Sequence, residues 1–428
     1  MLLKIKTQTY YLKNKLKETS HFNFFKLVIF TLFFFPSITF NLLQAEIFPW
    51  VIIFVPFYFR KTTKFFFLIL FFLVLHSLIF TLYKGSILSL ELFRSLLSYF
   101  NSLIPFAFLI SAPIQTIYRF AKLTKLIFYF LIILGLLQNF NLFESLDSLF
   151  KFFIPRSSSS NLDFMNRGVT LLSSEPARAG NSLLFIYFSV RYLYTLKQYR
   201  IFFDLFMFFY LLLIIQSTMS FFVFLIFIIF QYRFKLIIPI SLIVLFLLVF
   251  SFNFSEGGRA VDLGRAILDL DNLNDISFLL VNSSGHRLLS IYSYWLYALN
   301  YPFGGGIGNW LYTSVESLIN TGINPNEYSF FQKFGSNIPF RASGFFTNLA
   351  LDTGIFGFLF VFSYVLNSLK KFWKISSDAK VIILVFLIKV TFIGSVGHPV
   401  AWITTAILLR CLMELKTESS LINISSNG

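Results

Sequence analysis

Uninterrupted apolar runs long enough to cross a lipid bilayer recur along this chain from Phe22 to Met413. Runs of this length are typical of transmembrane helices, because about 20 helical residues cross the hydrocarbon core. Only 13% of the 428 residues are charged and the mean hydropathy is +0.76, whereas a water-soluble protein of this length needs more charge to cover its surface. The sequence therefore predicts an all-α, polytopic integral membrane protein of about 12 transmembrane helices.

The predicted spans are 22–43, 47–59, 65–83, 96–113, 126–140, 181–196, 201–215, 218–231, 236–252, 344–366, 381–397 and 399–413. They divide the chain into membrane regions 1–140 (five helices), 181–252 (four helices) and 344–428 (three helices and a short tail), separated by loops 141–180 and 253–343. The apolar stretch 201–230 is interpreted as two helices because polar residues interrupt it between Gln216 and Ser220. A single helix there would place the later basic connections on the wrong side of the membrane.

Basic residues recur at every second connection between the predicted spans. They are Arg60, Lys61 and Lys64; Arg119, Lys122 and Lys125; Arg191, Lys197 and Arg200; Arg233 and Lys235; and Lys370, Lys371, Lys374 and Lys380. Since positive charge favours the cytoplasmic side, we expect a bacterial inner-membrane protein with both termini in the cytoplasm and both long loops outside it. Loop 141–180 has no net charge and loop 253–343 has a net charge of −2. The total of +16 is thus mainly a topological signal, which argues against nucleic-acid binding.

The end of the first long loop carries Arg167, Glu175 and Arg178 just before the sixth predicted span. A guanidinium offers a planar fork of donors that matches phosphate oxygens and stays charged. Two arginines at the membrane surface suit a lipid-linked diphosphate. The same residues would also be compatible with ordinary lipid headgroup contacts or with an Arg178–Glu175 surface pair.

In the second long loop, His286 and Arg287 begin a helical pattern that continues to Asn300. Cations in the first turn oppose the helix dipole unless an anion lies there as well, so this placement also suits a phosphate. Pro302 ends the pattern, and the following glycines, 304–306 and 308, allow the backbone to approach a ligand or another helix closely. Simple turn geometry is an equally good explanation of that cluster.

Four more ionisable residues lie at or within the last three predicted spans. Arg341 precedes the tenth span, Asp352 is expected two turns into it, Lys389 near the middle of the eleventh, and His398 at the turn that follows. Ionisable groups at membrane depth are costly and suggest function. The alternatives are an Asp352–Lys389 pair between helices and an interfacial histidine that is already hydrogen-bonded. The sequence contains no nucleotide-binding glycine motif and no clustered metal ligands, so we expect no cofactor and no metal.

Three motifs resemble the O-antigen polymerase family, within the superfamily that also contains the O-antigen ligases. They are Arg167…Glu175-Pro176…Gly180, Gly285-His286-Arg287…Trp295…Pro302-Phe303-Gly304-Gly305-Gly306-Ile307-Gly308, and Gly344-Phe345…Leu349…Asp352-Thr353-Gly354-Ile355-Phe356-Gly357. The resemblance covers roughly residues 165–360 and the overall topology. Ligases usually place a histidine where Ser343 stands, so the resemblance favours a polymerase.

The resemblance implies a GT-C-like, metal-independent, inverting glycosyltransferase that joins polyprenyl-diphosphate-linked oligosaccharide repeat units at the outer face of the membrane. It assigns diphosphate binding to Arg167, Arg178, Arg287 and Arg341. The candidates for activating the acceptor hydroxyl are Glu175, His286 and, third, His398. Candidate partners besides membrane lipids are a chain-length regulator and a flippase. The alternatives are an O-antigen ligase, with lipid A-core as acceptor, and a transporter whose path Lys389 and Asp352 would line.

Overall fold

The computed structural model describes residues 31–39, 47–50, 64–83, 90–154, 168–232, 241 and 287–425. Every regular element in these ranges is a helix, which confirms the predicted all-α class. The predicted span 236–252, except residue 241, and most of the spans 22–43 and 47–59 lie outside the described residues. Arg167 and His286 lie outside them as well.

The α-helices of the described ranges are numbered here in chain order. They are α1 (Lys64–Tyr83), α2 (Leu90–Ser111), α3 (Ile114–Asn139), α4 (Asp147–Phe153), α5 (Pro176–Leu193), α6 (Arg200–Tyr210), α7 (Thr218–Tyr232), α8 (Arg287–Asn300), α9 (Trp310–Ile319), α10 (Ser329–Phe334), α11 (Phe345–Trp373), α12 (Ser377–Phe392) and α13 (Val400–Ser425). Five helical stretches in the described residues are long and apolar enough to cross a membrane: Phe66–Tyr83, Leu90–Ser111, Ile114–Asn139, Lys197–Ile215 and Phe345–Trp373. The protein is therefore a helical, membrane-embedded protein.

Helix α5 forms the centre of the bundle. Each of its residues from Ala179 to Leu193 is buried, and it packs against α3, α7 and α13. Pro176 occupies the first position of the helix. Its ring fixes a φ that suits a helix, and the N–H that proline lacks would have no partner within the helix in any case. The helix therefore begins there. A helix that is surrounded on all sides by other helices can carry polar side chains toward the interior without exposing them to lipid.

The stretch 201–230 is broken, as predicted. A π-helical turn, Leu211–Ile215, follows α6, and Gln216 then adopts a left-handed conformation with φ of 53° before α7 begins. Tyr232 at the end of α7 hydrogen-bonds to Asp204 near the start of α6. The two helices are therefore antiparallel.

Helix α3 begins earlier in the sequence than predicted. We expected a span over 126–140 preceded by a basic connection, but the helix already begins at Ile114, directly after Pro113. Arg119, Lys122 and Lys125 thus lie within the helix rather than in a connection. Long basic side chains can extend along a helix to reach the membrane surface, so their charge does not require a loop.

The bundle has two chemically different ends. One, called here the loop end, carries Arg178, Arg341 and His398. The other, called the basic end, carries Arg200 and Lys374. The 18 residues of α5 separate the two ends by about 27 Å. Residues predicted to be extracytoplasmic lie at the loop end, and those predicted to be cytoplasmic lie at the basic end.

Helix α11 is broken at Gly354, whose φ of 66° and ψ of −173° are not helical. In a straight helix Phe346 and Phe362 would be about 24 Å apart along the axis, yet their ring centroids are 5.1 Å apart. The segment before Gly354 therefore folds back against the segment after it. Asp352 was expected two turns down a continuous span, and this expectation is wrong, because the break redirects the first two turns across the loop end.

The glycine-rich loop after α8 fills the break. The Gly305 and Gly306 N–H groups donate to the carbonyls of Leu351 and Asp352, each at 2.9 Å. A Cβ on Gly304 would lie 2.4 Å from the Gly354 nitrogen, so only glycine permits this approach. Of the predicted uses of the glycine cluster, the structure supports close contact with another helix.

Candidate functional site

Arg178 lies in the first turn of α5 at the loop end. Its Nη1 donates to Ser174 Oγ at 2.6 Å and its Nε donates to Ser395 Oγ at 3.1 Å. The first contact is local, but Ser395 lies in the turn between α12 and α13. The guanidinium therefore joins two distant parts of the chain, and Glu175, half-buried, lies directly before the helix.

His398 occupies the same turn and is only 5% exposed. Its Nε2 lies 3.3 Å from Ser182 Oγ, which also hydrogen-bonds to the Arg178 carbonyl at 2.8 Å. Burial, together with the nearby charges of Lys389 and Arg178, lowers the pKa of His398 well below its usual range. The imidazole is consequently neutral at physiological pH and can accept a proton or a hydrogen bond.

Lys389 lies in the last turn of α12 and is 3% exposed. Its Nζ is 5.9 Å from the ring centroid of Phe185 on α5. We expected Lys389 near the middle of a span that ran to residue 397, and this expectation is wrong. The helix ends at Phe392 because Ile393 is extended and Gly394 has a φ of 90°. The ammonium group therefore lies beneath the turn that carries Ser395 and His398.

Helix α2 holds this turn in place. The Asn101 side-chain amide donates to the Gly397 carbonyl at 2.7 Å, and Ser102 Oγ donates to the Val396 carbonyl at 2.9 Å. A Cβ on Gly397 would lie 3.2 Å from Ser98 Cα. Because these buried carbonyls receive side-chain donors, the turn is fixed without regular secondary structure.

Arg178, Lys389 and His398 are called here the Arg178 cluster. Ser174 and Ser395 accept hydrogen bonds from Arg178, and Ser182 lies beside His398. Buried cations are stabilised by an anion, so the cluster is chemically suited to bind one that enters from the loop end.

Arg341 forms a second group at the same end. Its Nη2 donates to Ser95 Oγ, and its guanidinium lies over the Trp310 ring, 5.0 Å from the centroid. The Trp310 indole N–H in turn donates to Glu91 at 3.3 Å. Stacking and hydrogen bonding together fix the plane of the guanidinium, which keeps a fork of donors in one orientation.

Asp352 lies close to Arg341, next to the break in α11. Tyr99 donates its hydroxyl proton to Asp352 Oδ2 at 2.7 Å. The carboxylate is 1% exposed, and Oδ1 has no hydrogen-bond partner in the described part of the chain. Asp352 and Lys389 thus belong to different groups. They do not form the pair between helices that the sequence left open as an alternative.

Helix α2 connects the two groups. Ser95, which binds Arg341, is three residues and about 4.5 Å along the helix from Ser98, which contacts the turn that carries His398. Arg341 and the turn that Arg178 binds therefore contact neighbouring turns of one helix.

Arg287 begins α8 and is half-buried. It lies two turns before Tyr294, whose hydroxyl donates to the carbonyl of Phe340, the residue next to Arg341. Of the predicted site residues in the described ranges, Arg178, Lys389 and His398 come together, and Glu175 lies directly before the helix that carries Arg178. Arg341 and Asp352 form the second group, and Arg287 begins the helix that supports it.

Tyr99, Ser182 and Ser395 were not predicted, because a serine or tyrosine in an apolar run gives no signal. A buried network at the basic end was not predicted either. In this network Arg191 binds Asp204 through Nε–Oδ1 at 2.6 Å and Nη2–Oδ2 at 2.7 Å. Tyr187 and Tyr232 donate to the same carboxylate. Asp204 could have been found, because it is a carboxylate inside an apolar run.

Comparisons of this chain with protein-family models, with curated proteins and with solved structures give no match. The function is therefore inferred from the two groups at the loop end and from the resemblance carried by the sequence motifs.

Proposed function

We propose that this protein polymerises polyprenyl-diphosphate-linked oligosaccharide repeat units into a surface polysaccharide. The observation that carries the proposal is the Arg178 cluster, in which the half-buried Arg178, the buried Lys389 and a neutral imidazole lie with serine hydroxyls at the loop end. A membrane-anchored diphosphate supplies the anion that such a cluster requires. The motif resemblance to O-antigen polymerases supports the same substrate class.

The proposed reaction is an inverting glycosyl transfer. The acceptor hydroxyl oxygen bonds to the anomeric carbon of the donor sugar, while the bond from that carbon to the lipid diphosphate breaks. The leaving diphosphate takes the bonding electron pair, and Arg178 is oriented by its two serine contacts to stabilise the new charge. His398 or Glu175 receives the proton from the acceptor hydroxyl.

We assign Arg341 to the same substrate, because it binds α2 one turn from the residue that contacts the turn carrying His398. Its guanidinium plane is fixed by Trp310 and Ser95, and Asp352 balances part of its charge. Arg287 and Arg167 remain proposed diphosphate ligands, and His286 a proposed catalytic residue, from the motif resemblance.

The proposed setting is a bacterial inner membrane, with twelve spans, a GT-C-like arrangement and both termini in the cytoplasm. The loop end then faces away from the cytoplasm, where flipped lipid-linked repeat units and a chain-length regulator would be met. The separation of basic residues from the predicted outer loops supports this orientation.

Substitution of Arg178 tests the assignment. We expect Arg178→Ala to lower polymer synthesis about 100- to 1000-fold, as does the loss of one oriented donor in an oxyanion site. Arg178→Lys should retain part of the activity, because it keeps the charge but loses the fork. The matched control is Arg200→Ala, which removes an arginine from an ion pair at the basic end and should leave synthesis nearly unchanged.

Deletion of the gene distinguishes a polymerase from a ligase. Loss of a polymerase leaves single repeat units that another enzyme still attaches, so the surface glycan should change from a ladder of lengths to a single-unit band. Complementation should restore the ladder. Long chains that accumulate on the lipid carrier without being attached would instead identify a ligase, and a normal ladder would contradict both activities.

A further inference from the structure

A cavity of about 510 Å³ lies at the basic end, where α7, α11 and α12 meet. Phe230 on α7 and Val381 on α12 form its apolar wall, and Gln231, Ser376 and Ser377 add polar groups. Lys374, directly after α11, and Lys380 on α12 supply ammonium groups. The cavity is at the opposite end of the bundle from the proposed catalytic site and has no part in the proposed reaction.

The positive charge of the two lysines that line this cavity is not neutralised by the acidic residue in the lining. Asp378 is the acidic side chain of its lining, but Oδ2 is paired with Arg200 at 3.0 Å and Oδ1 accepts from Gln231 at 3.3 Å. Neither Lys374 nor Lys380 forms an ion pair within the described ranges. Lys374, Lys380 and Arg200, counted together with Asp378, leave a local charge of +2.

The apolar wall distinguishes a lipid from a small soluble anion. Phe230 is 37% exposed and continues the apolar outer surface of the bundle, and Trp373, beside Lys374, is 38% exposed. Tryptophan and lysine at the end of a membrane helix mark the depth of the lipid headgroups. A free phosphate would leave the wall in contact with water, whereas a phospholipid covers the wall with its acyl chains and offers its phosphate to the lysines.

We propose that this cavity binds the headgroup of an anionic phospholipid, with Lys374 and Lys380 as ligands of the phosphate. Basic pockets between membrane helices on the cytoplasmic side recognise anionic headgroups by the same electrostatics. The bound lipid joins the end of α11 to the start of α12. It should therefore stabilise the folded protein in addition to occupying the site.

The experiment compares two double variants of the full-length protein in detergent. Lys374→Gln/Lys380→Gln removes the two cavity charges. Lys370→Gln/Lys371→Gln removes two exposed lysines from the last turn of the same helix, which do not line the cavity. Thermal unfolding is followed while dioleoyl-phosphatidylglycerol or dioleoyl-phosphatidylcholine is added. Native mass spectrometry counts the phospholipids retained.

We expect phosphatidylglycerol, but not phosphatidylcholine, to raise the unfolding temperature of the wild type and of the control. The cavity variant should bind phosphatidylglycerol at least tenfold more weakly and retain one fewer lipid. If both double variants lose the same amount of phosphatidylglycerol binding, the effect comes from general surface charge and the proposal is overturned. An equal shift from soluble glycerol phosphate at the same concentration would identify a soluble anion and overturn it as well.

Lys374→Arg/Lys380→Arg provides a second measurement that does not depend on the stability of the cavity variant without lipid. This variant keeps both charges and should retain the phosphatidylglycerol response. If it behaves like the glutamine variant while folding like the wild type in phosphatidylcholine, charge does not hold the lipid and the proposal is wrong.

Discussion

The contact between the glycine loop and the break in α11 can be tested by one methyl group. In Gly304→Ala the new Cβ would lie 2.4 Å from the Gly354 nitrogen and 2.6 Å from the Asp352 carbonyl oxygen. The φ of 73° adds a left-handed strain of about 1–2 kcal/mol for any residue with a Cβ. Moving the loop away would also break the two backbone hydrogen bonds from Gly305 and Gly306, at about 1 kcal/mol each. The total destabilisation is about 3–4 kcal/mol.

Gly322→Ala is the matched control. Gly322 has a φ of 70°, but nothing lies within 4 Å of the position of its Cβ. It should therefore lose only the strain of about 1–2 kcal/mol. The free energy of unfolding, measured by titrating sodium dodecyl sulfate into detergent micelles, should differ between the two variants by about 2 kcal/mol. Equal losses of unfolding free energy in the two variants would refute the conclusion that the loop holds the broken helix. Unchanged polymer synthesis by Gly304→Ala would show that the break is not needed for activity.

Three further results are expected. Since the pKa of His398 is lowered in the folded state, protonation of this residue favours the unfolded state below the ordinary histidine pKa of about 6.5; His398 should contribute a loss of up to about 1.4 kcal/mol by pH 5.5, and His398→Asn should remove that contribution. Asp204→Asn should destabilise the protein by about 3–5 kcal/mol by leaving a buried arginine unpaired, whereas Asp378→Asn, in a more exposed pair, should lose about 1 kcal/mol or less. Tyr312 is 77% exposed and lies in the second long loop, so a cysteine at this position in a Cys411→Ala background should react with an impermeant thiol reagent on intact spheroplasts. Labelling only after lysis would show that the orientation is opposite to the proposed one.

The sequence was a good guide wherever a local pattern determines structure. A long apolar run can satisfy its backbone only as a helix within the membrane, so α1 lies close to its predicted place and the ends of α2 and α3 do as well. The break at Gln216 was also predictable, because four polar residues cannot extend an apolar helix without cost. The alternation of basic connections likewise predicted which residues share an end of the bundle.

The same patterns failed where contacts between distant segments decide the structure. Nothing near Lys389 in the sequence indicates that α12 ends three residues later. The turn after it exists because Gly394 accepts from the Gly344 N–H at 2.7 Å and because α2 binds the following carbonyls. Gly354 likewise resembles an ordinary glycine in a membrane helix. Its non-helical conformation is stabilised by a loop that lies some fifty residues earlier.

The turn between α12 and α13 explains why the loop end favours an anion. Three helices begin beside it: α5 through Arg178 and Ser395, α13 directly after His398, and α11 through the Gly344–Gly394 hydrogen bond. Each start carries a partial positive charge from unpaired N–H groups, which adds to that of the side chains. Among the described helices only α12 ends there, and Lys389 lies in its last turn, where a cation is favoured. The helix dipoles and the buried cations therefore act in the same direction, although the residues that produce this field are spread over more than 200 positions of the sequence.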